Sequence, residues 1–162
     1  MFSKRQLLRL RTLTITGVVV AGLAACDDAT GPDDDHGAHA EPVSVRLTLG
    51  GNEIASADVN GSTGEIHLES GQETGHITVE FLAEDGDVIA LDPAEFYLEV
   101  DVADVSVAEF EQDTPGEFGG HAHAVSEGET TMVFKLMHGS VGSGHADFIP
   151  EGITAHVEAA SP

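Results

Sequence analysis

Hydrophobic and polar residues alternate with a period of two over most of the chain after residue 42. In the first run the apolar positions are Val43, Val45, Leu47 and Leu49. Because successive side chains of a strand point to opposite faces, this alternation predicts strands with one buried face. The same pattern predicts further strands at residues 53–59, 64–70, 76–83, 87–91, 96–100, 105–111, 121–125, 130–138 and 153–158. Helical periodicity is nearly absent.

Two dipeptides between these runs predict tight turns. Asn60-Gly61 separates the runs 53–59 and 64–70, and Asp85-Gly86 separates the runs 76–83 and 87–91. Both dipeptides accept the positive φ values of two-residue hairpins. Eight or nine short strands with turns at this spacing predict an all-β fold, an antiparallel sandwich formed by one domain over residues 42–162.

The N-terminal segment has the order of charges and apolar residues that is typical of a secretory signal. Four basic residues precede an uncharged apolar stretch, residues 13–25, which is shorter than the roughly 20 residues of a membrane-spanning helix. The stretch ends in Leu23-Ala24-Ala25-Cys26, which resembles the lipobox of bacterial lipoproteins. We therefore expect a signal peptide at residues 1–25, with an uncleaved N-terminal anchor as the alternative.

The resemblance to bacterial lipoproteins implies a fate for Cys26. This residue would receive a diacylglycerol thioether, become the new N-terminus and gain an amide-linked acyl chain such as palmitate. Several acyl chains hold a protein on a membrane where a single chain is marginal. The protein would then lie in the bacterial cell envelope, on the periplasmic or the cell-surface side. Cys26 is the only cysteine, so no disulfide is expected.

Residues 26–41 have few apolar side chains and many aspartates. Such a segment cannot bury enough surface to offset the entropy of ordering, so it is expected to be a flexible acidic linker. His36 and His39 lie in it and offer a loose alternative site for a metal ion.

The net charge excludes one class of partner. The chain has 6 basic and 29 acidic residues, and only Arg46 and Lys135 among the basic ones follow Cys26. The chain after Cys26 therefore carries 2 − 29 = −27 with neutral histidines. A surface this acidic repels nucleic acid and attracts cations, although acidity also serves solubility alone.

Two segments resemble the C-terminal half of bacterial immunoglobulin-like domains of group 2. They are Ser106-Val107-Ala108-Glu109-Phe110 and the run from Ala124 to Phe134. The resemblance implies an immunoglobulin-like, seven-stranded Greek-key sandwich that serves as a structural or adhesive surface module without catalysis. The sequence also lacks the G-x-S-x-G, P-loop and H-E-x-x-H motifs, so no enzymatic activity is expected.

Four histidines near the C-terminal end are the strongest candidates for chemistry. His121 and His123 are two residues apart, so on a strand both rings project from one face, about 6.6 Å apart at the backbone. The flexible loop 139–144 lets His138 and His145 approach each other. Asp147 or Glu117 is available as a carboxylate ligand or as an acceptor from a ligand.

This donor set predicts one divalent transition-metal site formed by His121, His123, His138 and His145. Zn²⁺ or Cu²⁺ is the preferred ion, with Ni²⁺ also compatible. The predicted function is to buffer the metal or deliver it to an envelope metal transporter, and the alternative is the structural module without a specific metal. Three further histidines, His67, His76 and His156, are expected to face solvent as ordinary surface residues.

Calcium is a competing possibility for two acidic turns, residues 84–87 and 101–104. Their oxygen ligands suit Ca²⁺, but neither turn has the spacing of a calcium-binding loop. Aspartate in turns usually bonds its own backbone, which is the preferred interpretation here. Met132 shares strand parity with Phe134 and is expected in the core, whereas Met137, beside His138, is a weak candidate for a thioether ligand.

Overall fold

The computed structural model describes residues 40–160, and this part of the chain is all β. Its strands, in chain order, are β1 (Ser44–Leu49), β2 (Asn52–Asp58), β3 (Ser62–Gly64), β4 (Ile66–Glu69), β5 (Ile77–Leu82), β6 (Phe96–Val102), β7 (Ala108–Glu111), β8 (Gly119–Ala124), β9 (Gly128–His138), β10 (His145–Phe148) and β11 (Ile153–Glu158). The signal peptide, Cys26 and the linker up to residue 39 lie outside the described residues, so their assignments remain predictions.

The strands form two sheets. One has six strands in the order β3-β2-β1-β5-β8-β7. The other is built on β9, which pairs with β6 on one edge and with β10 and β11 on the opposite edge, while β4 lies beyond β11. The strand pairs are antiparallel except for β4 and β11, which run parallel. The predicted all-β antiparallel sandwich is therefore confirmed, with one local parallel pair and more strands than the group 2 resemblance implies.

The core lies between the two sheets and is filled by alternate residues of their strands. Phe110 of β7 meets Phe134 of β9 edge to face, with ring centroids 5.3 Å apart. Phe81 of β5 meets Phe148 of β10 in the same geometry at 6.2 Å. Each contact joins a residue of the six-stranded sheet to one of the other sheet, and such aromatic pairs add stability beyond the buried area. Met132 is fully buried, as predicted.

The predicted strand at 87–91 does not form, although the turn before it does. Gly86 has a φ of 83°, and Leu82 pairs with Val88 in an isolated bridge. The chain then turns again at Asp92, whose carbonyl accepts a hydrogen bond from the Glu95 N–H at 3.0 Å. This second turn leaves too few residues for a ladder, and it leads into β6.

The predicted strand at 64–70 is divided between the two sheets. The Asn60-Gly61 turn leads into β3, and its N–H groups donate to the Asp58 carboxylate at 2.6 and 3.0 Å, which lowers the pKa of Asp58. Gly61 does not have the positive φ that was predicted; Gly64 does, at 70°. A Cβ on Gly64 would lie 2.2 Å from the Ile54 carbonyl oxygen, so the break between β3 and β4 needs glycine.

Candidate metal centre

His138 and His145 occupy opposite positions on two paired strands. His138 ends β9 and His145 begins β10, and the two residues are direct partners in the antiparallel register. Their ring centroids lie 5.3 Å apart. The loop 139–144 thus brings these two predicted ligands together, as the sequence suggested.

Asp147 completes a group of three potential ligands. Ala146 pairs with Met137 and Phe148 with Leu136, so Asp147 is the extra residue of a β-bulge. One carboxylate oxygen of Asp147 lies 3.0 Å from His145 Nε2, and the other lies 3.6 Å from His138 Nδ1. One ligand atom from each of the three residues lies within 4.8 Å of the other two.

The surroundings hold His138 in place while His145 stays open to solvent. The His138 ring stacks on Phe96 at 4.8 Å with an interplanar angle of 21°. Gly144 passes so close that a Cβ there would lie 2.4 Å from the His138 carbonyl oxygen. The His145 side chain is 72% exposed, compared with 21% for His138. One ligand is therefore anchored by packing and the other lies at the surface.

The donor chemistry fits a borderline divalent ion. Two imidazole nitrogens and one carboxylate oxygen are ligands that Zn²⁺ and Cu²⁺ accept. Two ligands of one zinc ion lie at most about 4.2 Å apart, twice a bond of about 2.1 Å, so a small inward rotation of these side chains would suffice. Three protein ligands leave a coordination position open for water or another molecule.

His121 and His123 lie elsewhere, on β8 of the six-stranded sheet. Both rings are half-buried on the same face, with the fully buried Ala122 between them, as the spacing predicted. No group of three or more close ligand atoms among residues 40–160 combines them with His138 or His145. The prediction of one site with four histidines is therefore corrected, because β8 and the β9–β10 pair belong to different sheets.

Each of these two histidines has acidic neighbours of its own. His123 lies between Glu73 and Glu111, at 3.3 Å from Nδ1 and 3.4 Å from Nε2. His121 Nε2 lies 3.7 Å from an Asp113 carboxylate oxygen. The His121 ring hydrogen-bonds through Nδ1 to the Thr74 carbonyl oxygen at 3.0 Å, and this bond, with support from the charges of Asp113 and Glu73, raises the pKa of His121 against the opposing effect of partial burial.

Sequence reasoning missed His76 and Asp113. His76, Asp113 and Glu117 place one ligand atom each within 4.8 Å of the others. His76 is exposed, as predicted, but it is no isolated surface residue. The sequence signal that could have indicated a close neighbour here is the Gly119-Gly120 pair. In the structure that neighbour is His76, because a Cβ on Gly119 would lie 2.4 Å from its ring. Glu117 was considered as a carboxylate ligand, and it lies in this group rather than beside Asp147.

The remaining described histidines and Met137 show no such grouping of three ligands within residues 40–160. The exposed His67 lies 3.0 Å from Glu65, and the half-buried His156 lies 3.0 Å from Glu129. Met137 is buried at 8% exposure. The two histidines thus contact neighbouring carboxylates, and Met137 is packed in the interior.

The two acidic turns considered for calcium bond their own backbone. Asp85 accepts a hydrogen bond from the Asp87 N–H at 3.1 Å. Asp104 accepts from the hydroxyl of Ser106 at 2.6 Å and from its N–H at 2.9 Å, which lowers the pKa of Asp104. These contacts are the ones expected of aspartates that close turns.

The lysine and the arginine among residues 40–160 are both in ion pairs. Arg46 Nε lies 2.9 Å from a Glu80 oxygen. Lys135 lies between Glu99 and Asp101, at 2.8 Å from the latter; burial opposes its charge, but hydrogen bonds to both carboxylates raise its pKa. Acidic residues greatly outnumber these two basic residues within 40–160, so the described part of the chain carries a large net negative charge.

Salt should therefore stabilise the metal-free protein. Raising NaCl from about 20 mM to 500 mM shortens the screening length from roughly 20 Å to 4 Å and weakens the repulsion among carboxylates. Each kcal/mol of relieved repulsion should raise Tm by roughly 3–6 °C. Calorimetry at pH 7.5 with a chelator measures the effect. A Tm that is unchanged or lower in high salt would show that local ion pairs outweigh net repulsion.

No protein-family model matches the chain, and no curated protein matches it. Among solved structures, domains 5–6 of the S-layer protein SbsC are similar, with 16% sequence identity and a TM-score of 0.43 over 62% of this chain and 42% of that one. Domains 4 and 5 of the same protein are also similar, with 15% sequence identity and a TM-score of 0.39 over 62% of this chain and 50% of that one. The chain thus spans half or less of these structures. No helix within residues 40–160 is long and apolar enough to cross a membrane.

Proposed function

We propose that this chain is a lipid-anchored protein of the cell envelope that binds one divalent transition-metal ion through His138, His145 and Asp147. Zn²⁺ or Cu²⁺ is the expected ion, because its ligands are two imidazoles and a carboxylate. The observation that carries the proposal is the convergence of these three ligand atoms within 4.8 Å of one another at the bulge in β10.

The ligand number supports buffering or delivery of the ion. Three protein ligands leave a coordination position through which an incoming ligand can enter, whereas a closed four-ligand site must first release one. The 72% exposure of the His145 side chain gives a partner access to the ion. The expected partner is an envelope metal transporter, and the Cys26 lipid anchor would keep this chain at the same membrane.

Calorimetric titration of Zn²⁺ into the full-length protein, purified in detergent and freed of metal by chelation, tests the proposal. We expect His138→Ala and His145→Ala each to remove one bound zinc ion per chain. Asp147→Asn keeps the side-chain volume but loses the charge, and should weaken this binding. At about 100 times its dissociation constant, an ion that binds only the native state adds about 2.7 kcal/mol of stability. The same variants should lose that gain.

His67→Ala is the matched control, because His67 also lies beside a carboxylate but belongs to no group of three ligands among residues 40–160. It should bind zinc as the wild type does. If His138→Ala and His145→Ala behave like this control, the proposed site does not bind zinc. A protein whose Tm no transition metal changes would favour the alternative, a structural or adhesive surface module.

A further inference from the structure

A second group of ligands lies in the six-stranded sheet, away from the strands that carry His138 and His145. His76 immediately precedes β5, Asp113 and Glu117 lie in the connection between β7 and β8, and His121 lies on β8. The first three residues place ligand atoms within 4.8 Å of one another. The ring of His121 meets the ring of His76 edge to face at 5.4 Å.

The hydrogen bond of His121 orients it as a ligand. A carbonyl oxygen only accepts, so the 3.0 Å bond from Nδ1 to the Thr74 carbonyl places the proton of a neutral ring on Nδ1. The lone pair is then on Nε2, which lies 3.7 Å from Asp113. Histidines that bind metals commonly donate their other N–H to a carbonyl in this way.

The connection that carries the two carboxylates is ordered by its own contacts. The Gln112 side-chain amide donates to the carbonyls of Glu117 and Leu98 at 2.7 and 3.2 Å and accepts from the Gly116 N–H. One carboxylate oxygen of Glu117 accepts from the Thr114 N–H at 3.1 Å, which leaves the other oxygen for an ion. Gly119 contributes no Cβ, so the His76 ring packs directly against the backbone of β8.

We propose that His76, Asp113 and Glu117, with His121 as the fourth ligand, form a second transition-metal site. Two imidazole nitrogens and two carboxylate oxygens would close a tetrahedral shell around Zn²⁺, the arrangement of sites that stabilise structure. The ion would clamp the connection 112–118 onto the start of β5 and onto β8. The two sites would thus differ in role: the three-ligand site exchanges its ion and the four-ligand site holds it.

Zinc titration of the full-length His145→Ala variant isolates the second site from the first. One zinc ion per chain should remain bound. Adding His76→Ala or His121→Ala should weaken zinc binding more than ~100-fold. Removing a residue that merely hydrogen-bonds to a metal ligand already costs about 10–100-fold in affinity, and removing the ligand itself should cost more. Adding His67→Ala should leave zinc binding unchanged. Zinc should also slow amide hydrogen exchange in residues 112–118 of the His145→Ala variant, an effect that His76→Ala should remove.

The proposal is overturned if the His145→Ala variant binds no zinc, or if its remaining ion is bound equally well after His76→Ala. It is also overturned if zinc does not change the rate of amide hydrogen exchange in residues 112–118 of the His145→Ala variant. Failure of the first site gives a different result, because His145→Ala would then bind as many zinc ions as the wild type. In that case, comparing His76→Ala with the wild type tests the second site by itself.

Discussion

Replacing Phe134 by alanine should lower the free energy of unfolding by about 3–5 kcal/mol, the usual cost of removing a fully buried aromatic ring. Phe134 is 0% exposed and lies in the middle of β9, the strand that pairs with β6, β10 and β11. Its ring meets Phe110 of the opposite sheet at 5.3 Å. The substitution therefore leaves a cavity between the sheets and removes an aromatic contact across them.

Urea unfolding of the metal-free protein measures this effect. Phe118→Ala is the matched comparison, because Phe118 is only half-buried and contacts Phe81 from the margin of the core. It should cost clearly less than Phe134→Ala. Equal losses for the two variants would mean that the core does not depend on the inter-sheet contact at Phe134.

The alternation of apolar and polar residues was sufficient to locate most strands. The run 153–158 coincides with β11, and the run 130–138 falls within β9. Periodicity succeeds here because each of these strands has one face against the core, which the sequence records residue by residue. It fails at Tyr97: alternation with Phe96 and Leu98 places this side chain on the outward face of β6, but the residue is only 5% exposed. Loop residues cover it, as shown by the close approach of Gly116 and Gly144 to its side chain.

The order of the strands in each sheet could not be predicted from the sequence pattern. Alternation reports which face of a strand is buried and not which strand lies next to it. The parallel pairing of β4 with β11 joins segments that are far apart in the chain, and no turn connects them. The Gly50-Gly51 turn between β1 and β2 was a local signal that went unused; both glycines have positive φ, at 60° and 81°.

The two candidate metal sites also differ in whether their residues are near one another in the sequence. His138, His145 and Asp147 lie on strands joined by a short loop, so proximity in sequence was enough to group them. Asp113 and Glu117 lie close to His121 in the chain, but its other partners come from a distant segment: Thr74 is 47 residues away. Only the placement of β5 beside β8 brings His76 to this face. Grouping all four C-terminal histidines assumed one shared edge, whereas the sandwich divides them between its sheets.

Gly120→Ala should be strongly destabilising and should also disrupt the second metal site. Gly120 has a φ of 153°, and a Cβ there would lie 2.3 Å from the Glu111 carbonyl oxygen of β7. The positive φ costs a side chain about 1–3 kcal/mol, and forcing β7 and β8 apart adds typically 1–3 kcal/mol. That movement separates Asp113, just after β7, from His121 on β8, so zinc affinity at this site should fall too.

Gly142→Ala distinguishes the two contributions. Gly142 also has a positive φ, 81°, but a Cβ there would meet no atom of the described residues within 4 Å. Its substitution should therefore show the backbone cost alone, and the excess loss in Gly120→Ala measures the contact between β7 and β8. Urea unfolding without metal, followed by zinc titration, gives both quantities for each variant. If the variants lose equal stability and bind zinc alike, β8 can move without cost, and Gly120 is needed only for its backbone conformation.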